Sequence, residues 1–363
     1  VTLQGSTICI HWLSLPTFQY SFSYRFFYHL INHMDTPAPR QPGESAELFD
    51  LTPVNRPLLP HPPSFAGHQT FALRSAWLKK GLDALHNDAR VFSAEDALVT
   101  LGVGKNMVGS IRHWLIATQL ANAATERGGE LVASSLGKFL LADDRGVDQY
   151  LEDPATLWVL HWNLCGPGSQ AFTWTYAFNV WREWEWSPAA LVDAIQNAAR
   201  AISSKPASTE TVERDVSVFI QTYVAPSERG QNAEDGLDCP LRELGLLRPA
   251  LGNQQQYTFA VGPKPSLPTA VFAWAMLNFW DWKYPGNATI AARDIAYAEG
   301  SPGVVFKLDE DSTLAYLDQL EGFSSGNLRF EDTPLVRQVV RTTAAILTPD
   351  MLLFIHYANP LVG

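Results

Sequence analysis

The segment Leu101-Gly-Val-Gly-Lys-Asn-Met-Val-Gly-Ser-Ile-Arg-His-Trp-Leu115 carries the densest chemistry in the chain. Gly104-Lys105 invites comparison with a phosphate-binding loop. That motif needs an earlier glycine five residues before the Gly-Lys pair and a Ser or Thr after it; Val99 and Asn106 stand there instead, which excludes the reading. A DNA-reading helix fits better. On a helical wheel Met107, Val108, Ile111 and Leu115 form one apolar stripe, and Asn106, Gly109, Ser110 and His113 fall on the other side. Asparagine pairs bidentately with adenine in the major groove, and serine and histidine can contact base edges. Lys105 lies on the flank and suits a phosphate, whereas Arg112, beside the stripe, suits packing as well as DNA. Lys79 and Lys80 sit off the apolar face of the preceding helix and are placed either to meet the duplex backbone or simply to be solvated.

A second constellation is acidic. Glu213 and Asp215 fall in one helical stretch, and Glu234, Asp235 and Asp238 crowd a glycine-containing loop before Cys239-Pro240. Clustered carboxylates can hold a divalent metal that assists phosphodiester cleavage, and the same acids also serve as surface charge and helix caps. His68 offers a base, a ligand or a satisfied turn residue. His161 and Cys165 are four apart and share a helix face, but two ligands do not make a zinc site.

The elements that would position these residues can be read from periodicity. Phe71, Leu78, Leu82 and Leu85 predict a helix over 70–88; Ser93, with Asp96 in a capping-box position, predicts a short helix ending at Leu101-Gly102; a third runs from Lys105 to Leu120. Gly128-Gly129 then turns between two segments as a wing. The expected fold is α+β and mainly helical: a winged helix-turn-helix unit over 65–145, a Trp-rich helical middle with the acidic loop over 146–262, and a second winged-helix-like unit over 263–363. In the last unit helices are expected over 271–282, 289–297 and 312–320. Asp309-Glu310-Asp311 at the start of its third helix would repel phosphate, so that unit reads as a partner-binding surface. Residues 1–64 are expected to be a leader and linker. Residues 1–33 hold one charged side chain, Arg25, and read as an over-extended frame with translation from Met34; residues 35–64 are proline-rich.

Charge distribution points to the same unit. The chain carries a net −11, yet residues 67–141 hold eight Lys/Arg against six Asp/Glu. Only this stretch could face phosphates without help. Twelve tryptophans, most of them between Trp158 and Trp282, suggest large helix-packing surfaces. Three cysteines without a Cys-x-x-Cys pair argue against a disulfide framework, and no apolar run is long enough for a membrane span. A cytoplasmic location is expected.

The chain resembles the bacterial family named domain of unknown function 4007. The matching runs are Phe65-Ala-Gly-His-Gln-Thr-Phe71 with Arg74 and Trp77-Leu-Lys-Lys-Gly81, then Leu101 to Val108 with Ser110-Ile-Arg112. Further runs are Glu213-Arg-Asp-Val216 with Thr222-Tyr223, Glu234-Asp235 with Leu237-Asp-Cys-Pro-Leu241, and Ser301-Pro-Gly303 with Val305-Phe-Lys-Leu-Asp-Glu310; Gln69 stands where the pattern leads one to expect glutamate. The family is similar to a component of bacterial systems that place sulfur in the DNA backbone as phosphorothioate. The resemblance implies double-stranded DNA as partner, sulfurtransferase and ATPase subunits as companions, and a nicking activity, for which the acidic constellation would hold Mg or Mn. No nucleotide or organic cofactor is expected. A non-catalytic adaptor that recruits the sulfurtransferase, and a transcription regulator that would need a dimer, are the other readings.

Overall fold

The computed structural model describes residues 56–124, 129–143, 145–205, 207–225, 239–342 and 347–358. Leucines at three- and four-residue spacing make Ser75–Asn87 an amphipathic helix, α1, burying Leu78, Leu82 and Leu85. It starts later than its periodicity suggests, because residues 66–70 run through turns with Ala66, Gln69 and Thr70 at positive φ. A 3₁₀ turn at Val91–Ser93 precedes α2, Ala97–Leu101. The N-cap of α2 is Asp96, with no side-chain bond, so Ser93 does not form the expected capping box. Gly102 takes the left-handed conformation that ends α2, and α3, Lys105–Ala117, begins after Gly104. Strands β1, Ala121–Ala123, and β2, Leu131–Ala133, then pair antiparallel with Ala121 opposite Ala133. Three helices followed by a hairpin give the winged-helix order. The expected wing turn includes Gly128, which lies outside the described residues.

After α4, Ser135–Leu141, the middle of the chain is built on α5, Pro154–Cys165. Asp153 caps α5 by accepting the Ala155 N–H at 2.8 Å, and every residue from Ala155 to Cys165 is buried. A helix apolar on all sides belongs inside a core. On it packs α6, Phe172–Asn179; the amphipathic pair α7, Pro188–Ile202, and α8, Thr209–Tyr223, packs on α6, and the hairpin of β3, Leu247–Ala250, with β4, Asn253–Phe259, packs on that pair.

The last third repeats the winged-helix order with a fuller sheet. α9, Thr269–Lys283, leads to β5, Thr289–Ala291, then α10, Ala292–Tyr297, α11, Pro302–Val305, and α12, Glu310–Phe323. β6, Leu328–Asp332, and β7, Arg337–Arg341, complete a three-stranded antiparallel sheet of order β5-β7-β6. The short helix expected from Thr289 is therefore a strand followed by a helix. A final helix, α13, Pro349–Ala358, packs on α9. One apolar core runs through all three segments, with Trp114, Trp158, Trp174, Trp186 and Trp280 fully buried in it. Among the described residues no helix is long and apolar enough to cross a membrane.

Candidate nucleic-acid interface

α3 is held by Val108, Ile111, Trp114 and Leu115, which are buried against α1 and the rest of the core. At about 100° per residue these positions leave one arc open. Lys105 and Asn106 are exposed there, and Gly109 and Arg112 are partly exposed. Lys80 is exposed on α1. Lys79 is already committed: its ammonium is 2.5 Å from Asp83 and also pairs with Asp143, so its charge is largely satisfied within the protein.

Ser110 and His113 differ from the wheel expectation. Ser110 is fully buried and its hydroxyl has no hydrogen-bond partner. His113 is partly buried, and its Nε2 is shielded and unpartnered. Burial, and next the neighbouring His68 ring, pull the His113 pKa down to about 4, so it is neutral at pH 7. A single-helix wheel identifies one packing stripe; here a second layer covers the other flank. That layer is the loop Phe65–Phe71.

The loop is fixed from beneath. His68 is fully buried, its ring 5.6 Å from that of His113, 6.5 Å from Trp114 and 6.1 Å from Trp174. Its Nδ1 accepts the Thr70 N–H at 3.1 Å, which places the ring proton on Nε2, where it is donated to Asp215 Oδ1 at 2.9 Å. The same carboxylate oxygen accepts the Ala66 N–H at 2.7 Å, and Trp114 Nε1 donates to the Phe71 carbonyl at 3.2 Å. These bonds offset the left-handed backbone of Ala66, Gln69 and Thr70, which costs a non-glycine residue roughly 1–2 kcal/mol each. Gly67 is required by the fit, since a Cβ there would lie 2.4 Å from His113 Nδ1. With both ring nitrogens bonded and no exposure, His68 positions the loop and is not placed to act as a base.

The expected acidic set does not assemble among the described residues. Glu213 is exposed, whereas Asp215, two residues on, is buried and bound to the loop. Glu234, Asp235 and Asp238 lie outside the described residues. His161 and Cys165 do come together, Sγ to Nδ1 at 3.7 Å, but inside the core. His161 Nδ1 bonds the Tyr223 hydroxyl at 2.8 Å and its Nε2 donates to the Val305 carbonyl at 2.9 Å. Burial lowers the His161 pKa to about 3 and raises that of the Cys165 thiol, so the pair ties helices together in its neutral form.

Sequence reasoning missed Gln69 and Thr70, the exposed tip of the loop, and missed the bond that sets them. Gly67 was the local signal of a turn. Nothing local marks three non-glycine left-handed residues, or a histidine and a carboxylate that meet across 147 positions.

Comparison with solved structures finds two crystal structures of SspB. The magnesium-ion-bound form matches with a TM-score of 0.72 and 30% identity, over 82% of this chain and 88% of its own. A second SspB crystal structure matches with a TM-score of 0.72, 31% identity and the same coverage. No curated protein matches. A magnesium ion bound in the relative raises the question of whether these residues could hold one. Among the described residues no three His, Cys, Asp or Glu stand close enough to do so, and Asp215 already accepts two hydrogen bonds. The described residues therefore supply no three-ligand cluster, and Glu234, Asp235 and Asp238 lie outside them. The model of a family described as protein of unknown function (DUF4007) matches residues 65–357, from the His68 loop to the last helix, and the chain belongs to that family.

Proposed function

We propose that this protein is a cytoplasmic component of a bacterial DNA phosphorothioation system, and that its first winged-helix unit, residues 65–145, docks α3 on double-stranded DNA. The observation that carries the reading is the open arc of α3, where Lys105, Asn106 and Arg112 are exposed or partly exposed on the second helix of a helix-turn-helix followed by a hairpin. That arc lies in residues 67–141, which hold eight Lys/Arg against six Asp/Glu in a chain of net charge −11. Asn106 supplies base recognition and Lys105 and Lys80 supply phosphate contacts. The likeness to SspB supports the choice of system. The family resemblance implies a sulfurtransferase and an ATPase as companion subunits. Metal-assisted nicking belongs to this reading, with Mg or Mn as the ion and Glu234, Asp235 and Asp238 as the acids.

The test uses the full chain with supercoiled plasmid and either magnesium or manganese. Relaxed circles are expected from the wild type and not from the Asn106→Ala/Arg112→Ala double variant. An Asp235→Ala/Asp238→Ala variant is expected to keep the gel shift and leave the plasmid intact. Nicking that survives that variant and persists in chelator would remove the acids from the reading. A retained shift with intact plasmid under every metal favours the second reading, a non-catalytic adaptor that recruits the sulfurtransferase. The separation of Glu213 from Asp215 supports that alternative.

A further inference from the structure

The centre of the open arc of α3 is a residue without a side chain. Lys105, Asn106 and Arg112 flank Gly109 at offsets of three and four residues, about one turn away, and the buried positions lie opposite. A helix that read bases only with its own residues would lose its best-placed contact there. The gap is filled from elsewhere in the chain. The Gln69 side chain lies across Gly109, with Cγ 3.2 Å, Cδ 3.8 Å and Nε2 3.9 Å from the position a Cβ would take. Gly109 thus admits the loop, and the loop returns an exposed carboxamide to the middle of the face.

We infer that Gln69 is a base-contacting residue of this interface and that it recognises adenine, so that the reading surface is a composite of the 66–70 loop and α3. The inference rests on the docking of α3 proposed above. A carboxamide presents one acceptor and two donors in a plane, the pattern that pairs with N7 and N6 of adenine in the major groove. Asn106 carries the same group on the same face. The loop is preorganised for such a contact, because Gln69 and Thr70 are held left-handed and the bonds that hold them run down to the buried His68 and Asp215. Backbone strain of this kind persists where surrounding structure fixes it, and it clusters at functional sites. A contact group fixed in advance loses little freedom on binding. The competing role, a cover that must lift before α3 can reach DNA, makes the opposite prediction for removal of the side chain.

The probe is a library of short duplexes randomised over their central positions, selected by the full-length protein. The wild type is expected to enrich a motif. On the best duplex Gln69→Ala should bind about 5- to 150-fold more weakly and lose the preference at one adenine position. Gln69→Gly, which adopts the left-handed backbone without steric cost, should do the same and so separates loss of the amide from loss of the loop. Gln69→Glu should move the preference at that position toward cytosine, whose amino group a carboxylate accepts. The same motif with equal or tighter binding in Gln69→Ala and Gln69→Gly overturns the inference, as does a wild type that enriches no motif. If Asn106→Ala weakens binding and the Gln69 variants do not, only the inference fails. If Asn106→Ala and the wild type behave alike, the docking of α3 fails and takes the inference with it.

Discussion

Glu213 and Asp215 are close in sequence and roughly 200° apart around α8. One side chain faces solvent; the other accepts the Ala66 N–H and the His68 ring proton in a buried site. Removing Asp215 leaves two buried donors without an acceptor, at roughly 1–3 kcal/mol each. Asp215→Ala should therefore lower the urea midpoint substantially, whereas Glu213→Ala should change unfolding free energy by less than about 0.5 kcal/mol. Equal effects of the two substitutions would contradict the structural role given to Asp215. The sequence reading grouped these two acids in one constellation, although a spacing of two on a helix sets them on different faces. The partner of Asp215 was not legible in the sequence, because a contact across the fold leaves no mark in the local pattern.

At the scale of elements, apolar periodicity located α1, α3, α9 and α12 to within a few residues, since each buries one stripe or a whole surface. Short strands were harder to see. β5 is three residues long, and Thr289-Ile-Ala291 leads straight into α10, so the run reads as one helical segment until its pairing with β7 is known. The second winged-helix order differs from the first in charge. Asp309 caps α12, Glu310 and Asp311 occupy its first turn, and Arg337 of the neighbouring wing is 2.8 Å from Asp332 and 3.9 Å from Glu310. An arginine so engaged in an acidic setting adds little attraction for phosphate. Arg337→Ala should leave duplex affinity within about twofold, while Lys105→Ala should weaken it several-fold at low salt and flatten its salt dependence by about one unit of slope. Titrations at several salt concentrations check both, and an Arg337→Ala loss matching that of Lys105→Ala would assign DNA to the second wing as well.

Across the whole molecule one core joins the three segments, and ionisable groups are sealed within it. Burial lowers the folded pKa of His161 to about 3 and, with the adjacent His68, that of His113 to about 4, against 6.5 when unfolded. Below pH 6.5 the unfolded chain takes up protons that the folded chain refuses, so the stability these histidines contribute is present above that pH and is lost as pH falls toward 4. The slope should approach roughly 1.4 kcal/mol per pH unit for each histidine. Lys307 acts in a second window. Its Nζ donates to the Phe178 carbonyl at 2.6 Å and lies 4.3 Å from the centre of the Phe259 ring, and burial lowers its pKa from 10.5 to about 7. Between those values the unfolded chain again holds the extra proton, so this group makes stability rise with pH from 7 toward 10.5. Urea midpoints at pH 5, 7 and 9 should therefore increase in that order, and Lys307→Met should remove most of the rise from 7 to 9. A midpoint unchanged between pH 5 and 7 would count against the buried neutral histidines.

The carboxylate that shapes the 65–71 loop is made nearly 150 positions after it. A ribosome therefore releases the helix-turn-helix long before it releases the group that sets the loop. A chain cut short before Asp215, by a stalled ribosome, a premature stop codon or a protease, retains α3 and lacks the acceptor for Ala66 and His68. Such a fragment loses the support for the loop beside α3, so under the proposed docking the late position of Asp215 ties a preorganised contact surface to synthesis of more than half of the polypeptide.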